Sequence, residues 1–200
     1  MTSVLVYLYP DMADFEVTLL LHRLRNTGKR QIIGISETLS PIIAQSGLTY
    51  VPDRRIEDVA AEDPDIEALL IPGGPINNEQ NAIGPLAAAC LRLNKLVGAI
   101  CFGPQFLGRA GLLNDRRYTT SCSAEKIRAL GVTDPFPRHN KVSARVVQDG
   151  NLITAQGYAF VDFAQAICRA LHIFANEQQE YEQLGRIVDG SSCAKGTSTP

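Results

Sequence analysis

Two periods of apolar residues alternate along this chain. Short β-branched runs at residues 4–9, Gln31–Ser36, residues 68–71 and Leu96–Ile100 read as strands, and longer amphipathic stretches lie between them. In Phe15–Asn26 the apolar Val17, Leu20, Leu21 and Leu24 recur at helical spacing, with Gly28 just past the end. Residues 85–93 and 160–174 read as further helices, and Ala124–Leu130 and residues 56–59 as shorter ones. Residues 42–51 predict a hairpin turning through Ser46-Gly47, and residues 118–121 a short strand. Residues 141–147 and Leu152–Ala155 predict a second hairpin, joined by Asp149-Gly150. Strands alternating with helices in this way predict an α/β domain with a buried, mostly parallel sheet. From Gly185 onward the chain is polar and rich in Gly and Ser, so a single domain over residues 1–184 followed by a flexible tail over 185–200 is expected.

Composition narrows the class. With 200 residues, 45% hydrophobic, the chain can bury one proper core. A formal charge of −2 supplies no excess of either sign to attract nucleic acid or a membrane surface. The chain enters its first strand without a basic leader, and no apolar run reaches membrane-spanning length, so the cytoplasm is the expected location. The five cysteines, at 90, 101, 122, 168 and 193, are odd in number and lack CxxC spacing. That argues against a disulfide framework and a zinc site; free thiols in a reducing compartment are expected, with no metal or organic cofactor.

The chemistry concentrates at Cys101. It stands between the strand-like Leu96–Ile100 and Phe102-Gly103-Pro104, where Pro104 suits a first helical turn because its missing N–H costs nothing there. A cysteine at such an elbow projects from the carboxyl end of a strand towards unpaired helix N–H groups, which favour the thiolate. By position alone, a small buried hydrophobe in a tight turn is an equal reading. In a parallel sheet, ligands bind outside the carboxyl ends of strands. Two other loops share that edge: residues 10–16 after the first strand, and Pro72-Gly73-Gly74-Pro75 after residues 68–71. The N–H groups of Gly73, Gly74 and Phe102 can form an oxyanion site beside the sulfur, although a lone Gly-Gly also serves as a plain turn.

Leu70-Ile71-Pro72-Gly73-Gly74, Gly98-Ala99-Ile100-Cys101-Phe102-Gly103-Pro104 and Leu152-Ile153-Thr154-Ala155-Gln156-Gly157, in this order, resemble the DJ-1/PfpI family over residues 4–174. The resemblance implies a flavodoxin-like three-layer sandwich, a homodimer, and a reactive cysteine hydrogen-bonded to an acid from the loop after the first strand. Glu16 falls on the position of that acid, with Asp14 as the alternative two residues earlier. An enclosed Glu16 would stay protonated and donate to the Cys101 thiolate. Read without the family, Glu16 is better taken as a carboxylate favoured in a first helical turn by the helix dipole.

The chain departs from the family at the base. Members carry a histidine directly after the cysteine or in a later Thr-Thr-His segment; here those positions hold Phe102 and Ser121. His22 and His172 read as helix residues, and His139 sits in a loop that can fold over a pocket. Acyl transfer by cysteine relies on a neighbouring base, so peptidase activity is not expected. Attack of Cys101 on a small electrophile is, with Glu16 shuttling the proton: glyoxalase- or deglycase-type chemistry on 2-oxoaldehydes, or hydration of an isocyanide. The alternative is a redox sensor, in which peroxide oxidises Cys101 with little turnover and Cys122 resolves a sulfenic acid if the two sulfurs come within disulfide reach.

Overall fold

The computed structural model describes residues 2–76 and 82–189. In chain order its elements are β1 (Ser3–Tyr7), α1 (Phe15–Asn26), β2 (Gln31–Ser36), β3 (Ile42–Ile43), β4 (Thr49–Tyr50), β5 (Arg54–Arg55), β6 (Ile66–Ile71), α2 (Ile83–Arg92), β7 (Leu96–Ile100), α3 (Pro104–Arg109), α4 (Ala124–Leu130), β8 (Val146–Asp149), β9 (Leu152–Ala155), α5 (Phe160–Ala170), α6 (Glu177–Glu180) and α7 (Arg186–Asp189). Seven strands form one sheet in the order β5-β2-β1-β6-β7-β9-β8, parallel except for the β8–β9 hairpin. β3 and β4 pair separately as the hairpin expected over residues 42–51.

Every residue of β1 and β7 is buried, because helices cover the sheet. α1 packs on α5, which also lies against β7 and β9, while α2 packs with α3 and against β6 and β7. Leu69, Leu70 and Ile71 of β6 are fully buried, each worth about 1.5–3 kcal/mol of apolar transfer. The resulting flavodoxin-like α/β sandwich places a topological switch between β1 and β6. From β1 the chain winds outward through β2 to β5, then returns to β6 on the other side of β1. Loops leaving β1 and β6 therefore diverge at their carboxyl ends and open a crevice there.

Several boundaries moved for local reasons. β1 stops at Tyr7, two residues before the apolar run does, and Asp11 turns the chain with φ 59°. Residues 118–121 form no ladder strand: Tyr118 makes one bridge to Lys141, and the Thr119 N–H goes to the Thr154 hydroxyl. Of residues 141–147 only Val146 and Val147 pair with β9. Residues 56–59 give a 3₁₀ turn, Ile56–Asp58, beside the two-residue edge strand β5, too short to leave a periodic signal. α5 ends at Ala170, and His172 with φ 51° reverses the chain where a longer helix was expected. At the other end helical structure crosses residue 184: Gly185 is buried in a π-type turn, Tyr181–Gly185, which leads into α7. Cys193, in the expected tail, lies outside the described residues. Among the described residues, no helix is long and apolar enough to cross a membrane.

Candidate active site

Cys101 occupies the elbow between β7 and α3 with φ 60°, a left-handed backbone that costs a non-glycine residue about 1–3 kcal/mol. Neighbouring hydrogen bonds impose it. The Cys101 N–H donates to the Ala155 carbonyl at 2.8 Å, and the Cys101 carbonyl accepts from the Thr120 hydroxyl at 2.5 Å and the Ser121 N–H at 3.1 Å. Pro104 stands in the first turn of α3, as its fixed φ favours.

Glu16, in the first turn of α1, is turned inward and only 2% exposed. Its carboxyl hydrogen-bonds the Cys101 thiol, and its Oε2 accepts from the Gly73 N–H at 2.8 Å. Burial raises the Glu16 pKa, although the Cys101 and Gly73 hydrogen bonds pull against it. The Cys101 thiol is pushed up to about 12 by burial first and then by the charge and hydrogen bond of Glu16, while Ser121 and the Phe102 N–H oppose the rise. Helix-end potential is thus outweighed by desolvation; α3 has only six residues. Burial thus makes both groups resist ionisation, and the nucleophilic form of the pair is the thiolate with Glu16 protonated.

The remaining candidates separate clearly. Ser121 and Phe102 join the pair, both hydrogen-bonding the sulfur. The Gly73 N–H is committed to Glu16 and the Phe102 N–H to the sulfur, which leaves Gly74 as the oxyanion candidate. Asp14 is buried but bonds elsewhere, its Oδ2 accepting from Ser46 at 2.5 Å and Tyr50 at 2.9 Å. Although burial alone would raise its pKa, those hydroxyl donors hold Asp14 below its ordinary value, so it is an ionised anchor of the β3–β4 hairpin and not a proton donor to sulfur. His139 is exposed in the 3₁₀ turn Arg138–Asn140, outside the groups that bond the sulfur. Cys122 is fully buried, with its thiol on the Ser123 carbonyl at 3.8 Å.

Two residues received no role from sequence reasoning. A Cβ on Gly157 would lie 2.8 Å from the Cys101 sulfur and 2.8 Å from Glu16 Oε1, so glycine alone lets the chain after β9 close over the pair. Its signal in the sequence was its place just after that strand, closing the segment Leu152-Ile153-Thr154-Ala155-Gln156-Gly157. Tyr9 donates its hydroxyl to the Pro72 carbonyl at 3.0 Å and packs its ring against Gly74, fixing the loop after β6. Tyr9 also helps line a cleft of about 430 Å³ with Tyr7, Pro75 and Phe106. A larger cavity of about 520 Å³ lies between α2 and residues 56–62, and neither Cys101 nor Glu16 lines it. Among the described residues no group of three or more His, Cys, Asp or Glu is arranged to hold a metal ion.

An α/β sandwich with a cysteine elbow facing a buried carboxyl defines a class, and residues 2–170 match the model of the DJ-1/PfpI family. The chain belongs to that family. It is 27% identical over 169 residues to an isonitrile hydratase of Pseudomonas putida, covering 82% of this chain and 69% of the relative. It is 27% identical over 160 residues to a deglycase of Thermococcus kodakarensis, covering 77% and 89%. The DJ-1 superfamily protein Atu0886 of Agrobacterium tumefaciens superposes with a TM-score of 0.81 at 27% identity, over 96% of this chain and 100% of that one.

Proposed function

We propose that this protein is a cysteine-dependent enzyme acting on a small reactive electrophile, with Cys101 as nucleophile and Glu16 as the proton carrier. The observation that carries the reading is the buried Glu16–Cys101 hydrogen bond, in which one proton serves two groups. With the proton on Glu16, the sulfur adds to an aldehyde carbon, the carbonyl π pair moves onto oxygen, and Glu16 protonates that oxygen to give a hemithioacetal. The N–H of Gly74 is the candidate for stabilising the developing oxyanion. On an isonitrile the sulfur instead bonds the terminal carbon, whose electron pair takes the Glu16 proton to give a thioimidate, and water then hydrolyses it with return of the thiolate. Isonitrile hydration and 2-oxoaldehyde or deglycation chemistry are the two substrate classes we favour, since relatives are named for hydrating isonitriles and for deglycation. A peptidase is disfavoured because no histidine bonds the sulfur.

The test is turnover on methylglyoxal and a simple alkyl isonitrile. Loss on Cys101→Ser and on Glu16→Gln is expected; turnover that survives Cys101→Ser would overturn the reading.

One observation favours redox sensing as a second reading. Among the described cysteines Cys101 is partly accessible while Cys90, Cys122 and Cys168 are buried, so of these four peroxide meets Cys101 first. In that case mass spectrometry should find a sulfinic acid at Cys101 under mild peroxide, with no turnover on the panel. Free thiols suit the cytoplasm. The exposed Phe15, Ile43, Leu48 and Tyr158 offer apolar surface for a homodimer, which light scattering coupled to gel filtration checks.

A further inference from the structure

We propose that Ser121 is a catalytic residue whose hydroxyl donates a hydrogen bond to the Cys101 sulfur, standing where other constellations of this kind need a titrating base. The Gly157 N–H donates to Ser121 Oγ at 2.8 Å and occupies one lone pair, which leaves the hydroxyl hydrogen available to the sulfur, and the Ser121 bond favours the thiolate, as a donor's does. Gly157 itself backs onto Cys101 Sγ, which places donor, hydroxyl and sulfur in one contiguous cluster. The main chain fixes the serine independently of its side chain. The Ser121 N–H and the Thr120 hydroxyl both donate to the Cys101 carbonyl, tying residues 120–121 to the elbow.

The sulfur is therefore addressed by two side chains of different kind. Glu16 shares its proton with sulfur and can hand that proton to a substrate oxygen. Ser121 offers a hydrogen bond that neither gains nor loses a proton over the working pH range. When the sulfur pair forms a bond to an electrophilic carbon, sulfur passes from anion to neutral thioether. Ser121 then keeps its proton while its hydrogen bond weakens, and in the reverse sense it favours expulsion of the thiolate at product release. Because serine does not titrate, it adds no ionisation of its own to those of the Glu16–Cys101 pair, and the pH dependence of Cys101 reactivity belongs to that pair.

This inference rests on Cys101 acting as a thiolate nucleophile, and its test needs no substrate. The rate of Cys101 alkylation by iodoacetamide is followed against pH for the wild type, Ser121→Ala and Ser121→Thr. The wild type should give a thiolate midpoint set by the Glu16–Cys101 pair. Ser121→Ala should move it up by about one pH unit, the worth of one charge-assisted hydrogen bond, while Ser121→Thr stays with the wild type. Should the alanine variant not fold, Ser121→Val against Ser121→Thr repeats the comparison at equal side-chain shape. Profiles for Ser121→Ala or Ser121→Val that overlay the hydroxyl-bearing chains overturn the proposal. A shifted midpoint with no turnover on aldehydes or isonitriles would leave Ser121 in this role and remove the enzymatic reading instead.

Discussion

Gly157 backs directly onto Cys101: a Cβ at residue 157 would sit 2.8 Å from the sulfur and the same distance from Glu16 Oε1. Nothing longer than hydrogen fits there without parting the pair. Gly157→Ala is expected to cost about 1–3 kcal/mol through overpacking. It should also slow Cys101 alkylation by an order of magnitude or more, as thermal melts and labelling rates will show.

Glu16 gives a pH dependence of stability with a definite sign. Burial raises its folded pKa above the ordinary carboxyl value of about 4.5, so the folded state holds this proton more tightly than the unfolded chain does. The resulting stabilisation is complete below about pH 4.5 and is lost as pH rises through the folded value. Glu16→Gln does not titrate. Its melting temperature relative to wild type should therefore climb between pH 4.5 and neutrality, and paired melts across that range check it.

The Asp14 carboxylate gives the opposite sign. Its folded pKa lies below the ordinary value of about 3.8, so the stability it supplies is present above that value and lost as pH falls through the folded one. Tyr50→Phe removes a donor to this charge and should cost about 1.5–3 kcal/mol at neutral pH. The penalty should shrink in acid, which urea titrations at neutral pH and at about pH 3 will compare.

Thr120 braces the elbow from outside the reacting atoms. Thr120→Val takes away the hydroxyl donor to the Cys101 carbonyl and leaves only the Ser121 N–H. A loss of about 1 kcal/mol is expected with a fall of a few-fold in Cys101 alkylation. Unchanged labelling would mean that the left-handed backbone at Cys101 holds without this bond.

The sequence alone determined the elements whose pattern is local and strong. Phe15–Asn26, Gln31–Ser36 and Leu96–Ile100 read as they fold, because an apolar stripe or a β-branched run between turn residues constrains its own backbone. Cys101 at an elbow and Glu16 in a first helical turn were visible for the same reason, one flanked by a strand and Gly-Pro, the other placed by the start of α1. Tertiary structure decided everything that depends on who faces whom. Residues 118–121 carry strand-like residues yet spend their hydrogen bonds on Cys101 and Thr154. Asp14 and Glu16 are two residues apart, but one turns to Ser46 and Tyr50 and the other to the sulfur. The direction of the Cys101 pKa was set by desolvation, a property of the packed pocket, rather than by the short helix beginning beside it. Local periodicity fixes backbone course, whereas burial and hydrogen-bond partners exist only once distant loops have met.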